Sequence, residues 1–244
     1  MSESDPLADT GRPRGYDLEV RHLKDRAVAM GNWALRMVHD GWRAFDAGNL
    51  EAAQGVLDRD SELDHLDDDM EHATIAFLVL RQPAAVDLRT AASLLKVTTH
   101  IDRIGRLGFD MARITAPLPE KDSPRVRALL QQMDDVVEAM VQQSIEALRT
   151  DQIKLAQGLF ARDDAVDWMH REANRLIVTE LSQSPKQAQR LTGQLLVARH
   201  FERIADNACK VGEKTIYAVT GQRRSEYLPR HPYRPYALES APKS

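Results

Sequence analysis

The chain has 244 residues, of which 43% are hydrophobic and 29% charged, with a net charge of -4 and one cysteine. A single thiol excludes an intramolecular disulfide framework and a cysteine-based zinc or iron–sulfur site, which favours a reducing, cytoplasmic setting. The weak negative charge gives no reason to expect nucleic acid as a partner. The longest apolar run, residues 73–80, is far shorter than the ~20 residues that a membrane-spanning helix needs.

The positions of the prolines show where long helices can run, because proline lacks a backbone donor and clashes with the preceding turn. The 11 prolines leave long segments that are rich in Ala, Leu, Arg, Gln and Glu, which are good helix formers. Two short polar stretches, residues 46–49 and 149–151, predict tight turns between helices. We therefore predict six helices, at residues 17–47, 50–81, 84–116, 124–149, 151–181 and 186–220.

Apolar residues in these segments recur every three or four positions, as expected for helices with one buried face. The clearest stripe consists of Leu63, Leu66, Met70, Ala73, Phe77 and Leu80. No segment shows the sustained alternation of a half-buried strand, so the pattern predicts an all-α fold. We expect Trp33, Trp42, Trp168 and Cys209 to pack in the interior.

The sequence contains an internal repeat. Residues 53–55 (AQG) recur at 156–158, a shift of 103, and the string HIDRIG at residues 100–105 recurs as HFERIA at 200–205, a shift of 100. Ordered matches in two helices of each half predict two copies of a three-helix unit. Each unit should be an up-down-up bundle, because short loops force neighbouring helices to be antiparallel.

The repeat divides the chain into four parts. They are a disordered N-terminal segment (1–16), a first three-helix bundle (17–120), a second three-helix bundle (121–221) and a proline-rich basic tail (222–244). Two tandem bundles would make an elongated molecule. A single mixed six-helix bundle differs only in how the halves dock, and the sequence leaves both arrangements open.

Carboxylate pairs four residues apart are the most informative polar pattern. Such a pair lies on one helix face, where like charges destabilise the helix by ~0.2–0.5 kcal/mol. The second repeat has Asp163 with Asp167 and Glu202 with Asp206, each pair flanking an apolar stripe. If the two helices face each other, the four carboxylates form one cluster, and a hard cation would relieve their repulsion. Oxygen ligands favour magnesium, calcium, manganese or iron over zinc or copper.

The first repeat departs from this pattern. It has Asp60, Asp64 and Asp102, but Arg106 stands where the second repeat has Asp206. We expect Arg106 to pair with Asp102 or Asp60, and the metal site of this repeat to be weaker, altered or absent. Asp110, two turns beyond Asp102, would offer partial compensation.

The string ARHFERIADNA at residues 198–208, followed by YAVTG at 217–221, resembles the PhoU family of regulators of bacterial phosphate uptake and signalling. Residues 82–89 and 101–105 share the likeness, which extends over about residues 17–221. The resemblance implies two three-helix bundles with surface clusters of iron or another hard cation such as magnesium or manganese. Matching by position implies the ligands Asp163, Asp167, Glu202 and Asp206, and in the first repeat Asp60, Asp64 and Asp102.

The resemblance also implies a function. The family acts as a non-enzymatic adaptor that contacts the ATPase subunit of the phosphate ABC transporter and a membrane sensor histidine kinase. It holds the phosphate-starvation response off when phosphate is plentiful. We therefore expect a cytoplasmic regulator, peripheral to the inner face of the membrane through its partners, and a homodimer.

Two other functions are open from the residues alone. A ferritin-like di-metal oxidase needs two Glu-x-x-His helices that project into a bundle core. Only Glu62 and His65 have this spacing, and their counterparts are Ala165 and Trp168. A metal-free helical scaffold would leave the acids as solvated faces, with Arg103, Arg162 and Arg203 as ordinary ion partners.

Overall fold

The computed structural model describes residues 14–117, 123–183, 185–223 and 226. Within these residues the protein is helical and has no strand, which confirms the all-α prediction. None of the described helices combines the length and the apolar character that a membrane span requires. The elements are α1 (Arg14–Ala47), α2 (Leu50–Leu57), α3 (Asp60–Arg81), α4 (Ala85–Arg113), α5 (Pro124–Thr150), α6 (Ile153–Gln183), a 3-10 turn (Pro185–Gln187) and α7 (Ala188–Thr220).

The predicted turns between helices are confirmed, and the backbone shows why they occur there. Gly48 (φ 60°) and Asp151 (φ 55°) are in the left-handed region, which ends a right-handed helix. The Asn49 side chain then accepts a hydrogen bond from the Ala52 amide and caps α2. Ser123 caps α5 in the same way, by accepting from the Val126 amide.

The N-terminal boundary was predicted too late in the chain. The first helix begins at Arg14, so residues 14–16, which we assigned to a disordered segment, are helical. No proline separates them from residue 17, and the helix can therefore extend to that point. Residues 1–13 and most of the predicted tail lie outside the described residues.

The prediction of one continuous helix over residues 50–81 is wrong, because the helix breaks at Asp58 and Arg59. The Arg59 side chain donates through Nε to the Gly55 carbonyl, the group that the Arg59 amide would use in a continuous helix. The Arg59 amide donates to the Val56 carbonyl instead. The guanidinium also forms an ion pair with Asp40 on α1, at 2.6 Å, which holds the break in place.

Each half forms its own three-helix bundle, as the repeat predicts, and the two bundles dock side by side. In one layer α3, α4, α7 and α6 follow each other in this order, and α1 and α5 cover the back of that layer. The central helices α4 and α7 are antiparallel, because His100 contacts Asn207 and Arg89 lies next to Gly221. The back helices are antiparallel too, since Asp46 pairs with Arg127 and Lys24 with Asp151.

The two halves share one continuous core, which the sequence did not settle. Residues from α1, α3, α4, α5, α6 and α7 belong to a single cluster of buried side chains. Trp42 of the first half meets Phe201 of the second half edge to face, with ring centroids 5.4 Å apart. Because apolar burial is the main source of stability, the two bundles depend on each other for their interior.

The packing predictions hold for most of the named residues. Trp42 and Cys209 are buried, and Trp33 packs at the edge of the core. Trp168 is 59% exposed and Leu80 is 77% exposed, so the prediction was wrong for both. Leu80 is the last residue but one of α3, and Phe77 is the last buried residue of this helix.

Gly41 of α1 and Gly108 of α4 allow these two helices to approach closely, and this contact yields a stability prediction. A Cβ atom on Gly108 would lie 2.5 Å from the Met37 carbonyl oxygen and the Val38 nitrogen, which are backbone atoms of α1. We expect Gly108→Ala to lower the free energy of unfolding by ~1–3 kcal/mol, because the helices must move apart. Urea denaturation measures the effect.

Gly55 provides the matched control, since a Cβ atom there would meet nothing within 4 Å and Gly55 lies inside α2. We expect Gly55→Ala to stabilise the protein by ~0.5–1 kcal/mol through helix propensity. Equal effects of the two substitutions would contradict the close packing of α1 on α4.

Candidate functional site

The four predicted acids of the second repeat lie together between α6 and α7. We call Asp163, Asp167, Glu202 and Asp206 the second-repeat trough. Residue spacing places Asp163 and Asp167 on one face of α6 and Glu202 and Asp206 on one face of α7. Asp163 senses the charges of all three other carboxylates, so the structure brings the two pairs into one cluster.

The electrostatics of this trough are those of crowded carboxylates. Burial, together with the neighbouring Asp206 and Asp167, raises the pKa of Asp163 to about 7. The charges with the largest effect on Asp163 are all carboxylates. Burial also raises the pKa of Glu202, although the Arg199 guanidinium opposes the shift. Concentrated negative charge of this kind is stabilised either by protonation or by a cation.

Glu202 shows an unused ligand atom in the trough. Its side chain is 15% exposed, and Oε1 accepts a hydrogen bond from Arg199 at 2.5 Å. Oε2 is buried and has no hydrogen-bond partner. A buried carboxylate oxygen without a partner costs free energy, and a bound cation would remove that cost.

The donor set fits a hard cation, since it consists of carboxylate oxygens alone. Among the described residues, no three or more His, Cys, Asp or Glu side chains are already arranged so that they could hold a metal ion. The trough has the charge and the ligand chemistry of a metal site, but not yet the geometry. Its carboxylates would have to move closer together to bind an ion. A metal there would neutralise the cluster and join α6 to α7.

The first repeat solves the same electrostatic problem with its own cation. We call Asp60, Asp64, Asp102 and Arg106 the first-repeat trough. Arg106 forms ion pairs with all three carboxylates: Nε with Asp102 at 3.1 Å, Nη1 with Asp60 at 3.4 Å, and Nη2 with Asp64. The predicted pairing of Arg106 with Asp102 and Asp60 is confirmed, and Asp64 joins it.

The guanidinium occupies the centre of the first-repeat trough. Burial still raises the pKa of Asp102, while Arg106 opposes this shift. Asp110 does not compensate for the missing carboxylate as we expected, because it pairs with Arg113 at 2.9 Å. A protein cation therefore lies between the carboxylates where a metal ion would have to bind.

Two histidines, His100 and His200, lie at the seam between the halves. His100 Nδ1 hydrogen-bonds to Asn207 at 3.0 Å. His200 senses the charge of Asp110 on α4, and burial lowers the pKa of both rings. Both lie where α4 packs on α7.

The sequence did not identify two residues beside the second-repeat trough. Arg199 binds Glu202, and its spacing of three residues on the same helix face is the signal that identifies it. His170 is buried one turn beyond Asp167, and burial together with the charges of Arg199 and Arg171 lowers its pKa. Its burial depends on the docking of α7, which no local pattern shows.

Fold and site together define the class of protein: an all-α protein of two three-helix repeats, each with charged carboxylates between its last two long helices. The PhoU domain family matches residues 28–115 and 130–215, one match in each repeat. The chain belongs to the PhoU domain family.

Known relatives resemble the chain over most of its length. The phosphate-specific transport system accessory protein PhoU homolog of Caulobacter vibrioides is 29% identical over 219 residues, covering 89% of this chain and 95% of that protein. The homolog of the same name from Pseudomonas aeruginosa is 28% identical over 207 residues, covering 84% and 86%.

Solved structures agree with the fold. The crystal structure of PhoU from Pseudomonas aeruginosa matches with a TM-score of 0.80 at 28% identity, covering 85% of this chain and 100% of that one. The phosphate transport system regulatory protein PhoU from Streptococcus pneumoniae matches with a TM-score of 0.78 at 22% identity, covering 85% and 98%, which supports the fold alone.

Replacing the internal cation of the first-repeat trough tests its electrostatic role. We expect Arg106→Gln to lower the free energy of unfolding by ~1 kcal/mol at low salt, because three carboxylates lose their shared partner. The difference should shrink in ~1 M salt, where charges are screened. Urea denaturation at both salt concentrations measures it.

Arg113→Gln is the control, because Arg113 is 65% exposed and pairs with Asp110 across a single helical turn. We expect a smaller loss for this variant. An Arg106→Gln effect that is no larger than the control, or that does not depend on salt, would contradict the proposed role of the guanidinium.

Proposed function

We propose that this protein is a non-enzymatic accessory regulator of phosphate transport, which restrains uptake and the phosphate-starvation response when phosphate is plentiful. One observation carries the proposal: both repeats match the PhoU domain, and relatives named as phosphate-specific transport system accessory proteins align with 84–89% of the chain. The transport role comes from those relatives.

The proposed partners are the ATPase subunit of the phosphate transporter, a membrane sensor histidine kinase and a second copy of the chain, at the cytoplasmic side of the membrane. The surface supports protein contacts. Glu62 and Asp68 are exposed on α3, and Trp168 is exposed on α6. An acidic helix face attracts basic partner surfaces, and an exposed tryptophan is a common anchor residue.

The proposal includes a hard cation, iron, manganese or magnesium, in the second-repeat trough. The unused oxygen of Glu202 and the raised pKa of Asp163 support it. The ferritin-like oxidase has no support of this kind. Its required pair, Glu62 and His65, is exposed on the surface of α3, whereas that chemistry needs ligands inside a bundle.

Metal titration of the purified full chain tests the cation site. After treatment with a chelator, we expect calorimetry with Mn²⁺ to show binding that weakens at least tenfold in Glu202→Gln/Asp206→Asn, because the site loses two of its four carboxylates. The matched control is Asp60→Asn/Asp64→Asn, which should bind Mn²⁺ as the unchanged protein does. Unaltered affinity in the first variant, or an equal loss in the control, would refute the assignment.

Deletion of the gene in its own organism tests the regulatory role. We expect a phosphate-starvation reporter to be active in phosphate-rich medium in the deletion strain and silent again when the full-length gene is restored. A reporter that stays silent in the deletion strain would contradict the proposed role. This result does not depend on whether metal binds, because the two experiments have separate readouts.

A further inference from the structure

A cleft of about 620 Å³ lies between α3 and α4, next to the first-repeat trough. One wall is formed by α4, with Lys96, His100 and Arg103, and the other by α3, with Asp67 and Glu71. The lining also includes the apolar side chains of Leu78 and Leu95. Its volume lies within the range of ~300–1,000 Å³ that is usual for small-molecule sites.

The α4 wall carries two cations without counterions, Lys96 and Arg103, and a histidine lies between them in the sequence. Lys96, His100 and Arg103 are spaced i, i+4 and i+7, so they lie on one face of the helix. Neither Lys96 nor Arg103 forms an ion pair or a side-chain hydrogen bond with any residue in the described part of the chain. Both are exposed at the cleft, where they can bind an anion from solution.

The hydrogen bonds of His100 define its state. Asn207 Nδ2 donates to the Arg203 carbonyl at 2.7 Å, which turns Asn207 Oδ1 towards the ring. An amide oxygen only accepts, so His100 Nδ1 carries the proton. Burial lowers the pKa of His100, and the ring is therefore neutral with Nε2 as an acceptor.

The α3 wall offers acceptors of a different kind. Burial, together with Asp102, Glu71 and Asp68, raises the pKa of Asp67, and Arg106 is the cation that opposes this shift. Neither Lys96 nor Arg103 forms an ion pair with Asp67 or Glu71 across the cleft in the described part of the chain. The two walls are therefore of opposite charge and are not joined to each other, which leaves room for a molecule that satisfies both.

The second repeat provides a comparison within the same molecule. At the matching positions it has His170 for Asp67, Asn174 for Glu71 and Leu196 for Lys96. Arg203 matches Arg103. The paired arrangement of carboxylates facing free cations therefore belongs to the first repeat alone.

We propose that the α3–α4 cleft binds a nucleoside phosphate. The phosphate group pairs with Lys96 and Arg103, which are suited to phosphate by charge and geometry. The ribose hydroxyls donate to Asp67 and Glu71, a contact that acidic residues make in nucleotide sites. The base lies against Leu78 and Leu95. This assignment is independent of the proposed regulatory role and of the metal site.

Calorimetry on the full-length protein, in a buffer with chelator, tests the proposal with AMP, GMP, CMP and UMP as probes. We expect at least one of the four to bind, and inorganic phosphate and the matching nucleoside each to bind at least tenfold more weakly. No binding by any of the four nucleotides overturns the proposal. Inorganic phosphate binding as tightly as the nucleotide overturns the nucleoside assignment.

Four variants locate the site. Lys96→Leu installs the residue that the second repeat has at this position. Lys96→Leu and Arg103→Gln, each as a single substitution, should weaken nucleotide binding about tenfold or more. Glu71→Gln should weaken nucleotide binding and leave the weak binding of phosphate unchanged. Arg203→Gln is the matched control, because it removes the same charge at the equivalent position of the second repeat, and it should bind as the unchanged protein does.

The melting temperature of each variant shows whether it is folded, since all four substituted side chains are exposed. Nucleotide binding that survives both Lys96→Leu and Arg103→Gln would refute the cleft as the site. Binding that is lost in Glu202→Gln/Asp206→Asn but kept in Lys96→Leu would place the ligand at the second-repeat trough and refute it as well.

Discussion

The antiparallel packing of α4 against α7 fixes the position of the two acidic troughs. These two helices carry Asp102 and Arg106 on one side of the seam and Glu202 and Asp206 on the other. Because the halves share one core, with Trp42 against Phe201, the seam cannot open without exposing apolar surface. The outer helices α3 and α6 then close each trough from the flanks. A stable central pair thus presents charged side chains at its two edges, where solvent reaches them.

Charge crowding explains the difference between the two repeats. Placing several carboxylates on facing helices is unfavourable unless something neutralises them. In the first repeat the guanidinium of Arg106 does so from within the chain, with three ion pairs. In the second repeat Asp206 stands in the same position, the pKa of Asp163 rises to about 7, and one oxygen of Glu202 stays unpaired. The same architecture therefore gives one trough with a guanidinium among its carboxylates and one with a fourth carboxylate at the same position.

Much of this arrangement could be predicted from the sequence, because it depends on local patterns. Proline spacing located the helices, the repeat located the two bundles, and the i,i+4 acids located both troughs, with Arg106 as the exception. What escaped prediction depends on contacts that are distant in the chain. The break before α3 requires Arg59 to reach Asp40, nineteen residues earlier. The exposure of Trp168 and the shared core depend on how the halves dock, and the α3–α4 cleft depends on the spacing of two helices, which no periodicity encodes.

The difference between Arg106 in one repeat and Asp206 in the other has a consequence for how such proteins can diversify. Had the two bundles been separate, identical chains that paired about a two-fold axis, any substitution would have appeared twice, once in each copy. Fusion into a single polypeptide removes that constraint, since codon 106 and codon 206 mutate independently. One half can then keep an ancestral chemistry while the other acquires a new one, and the common scaffold supports both.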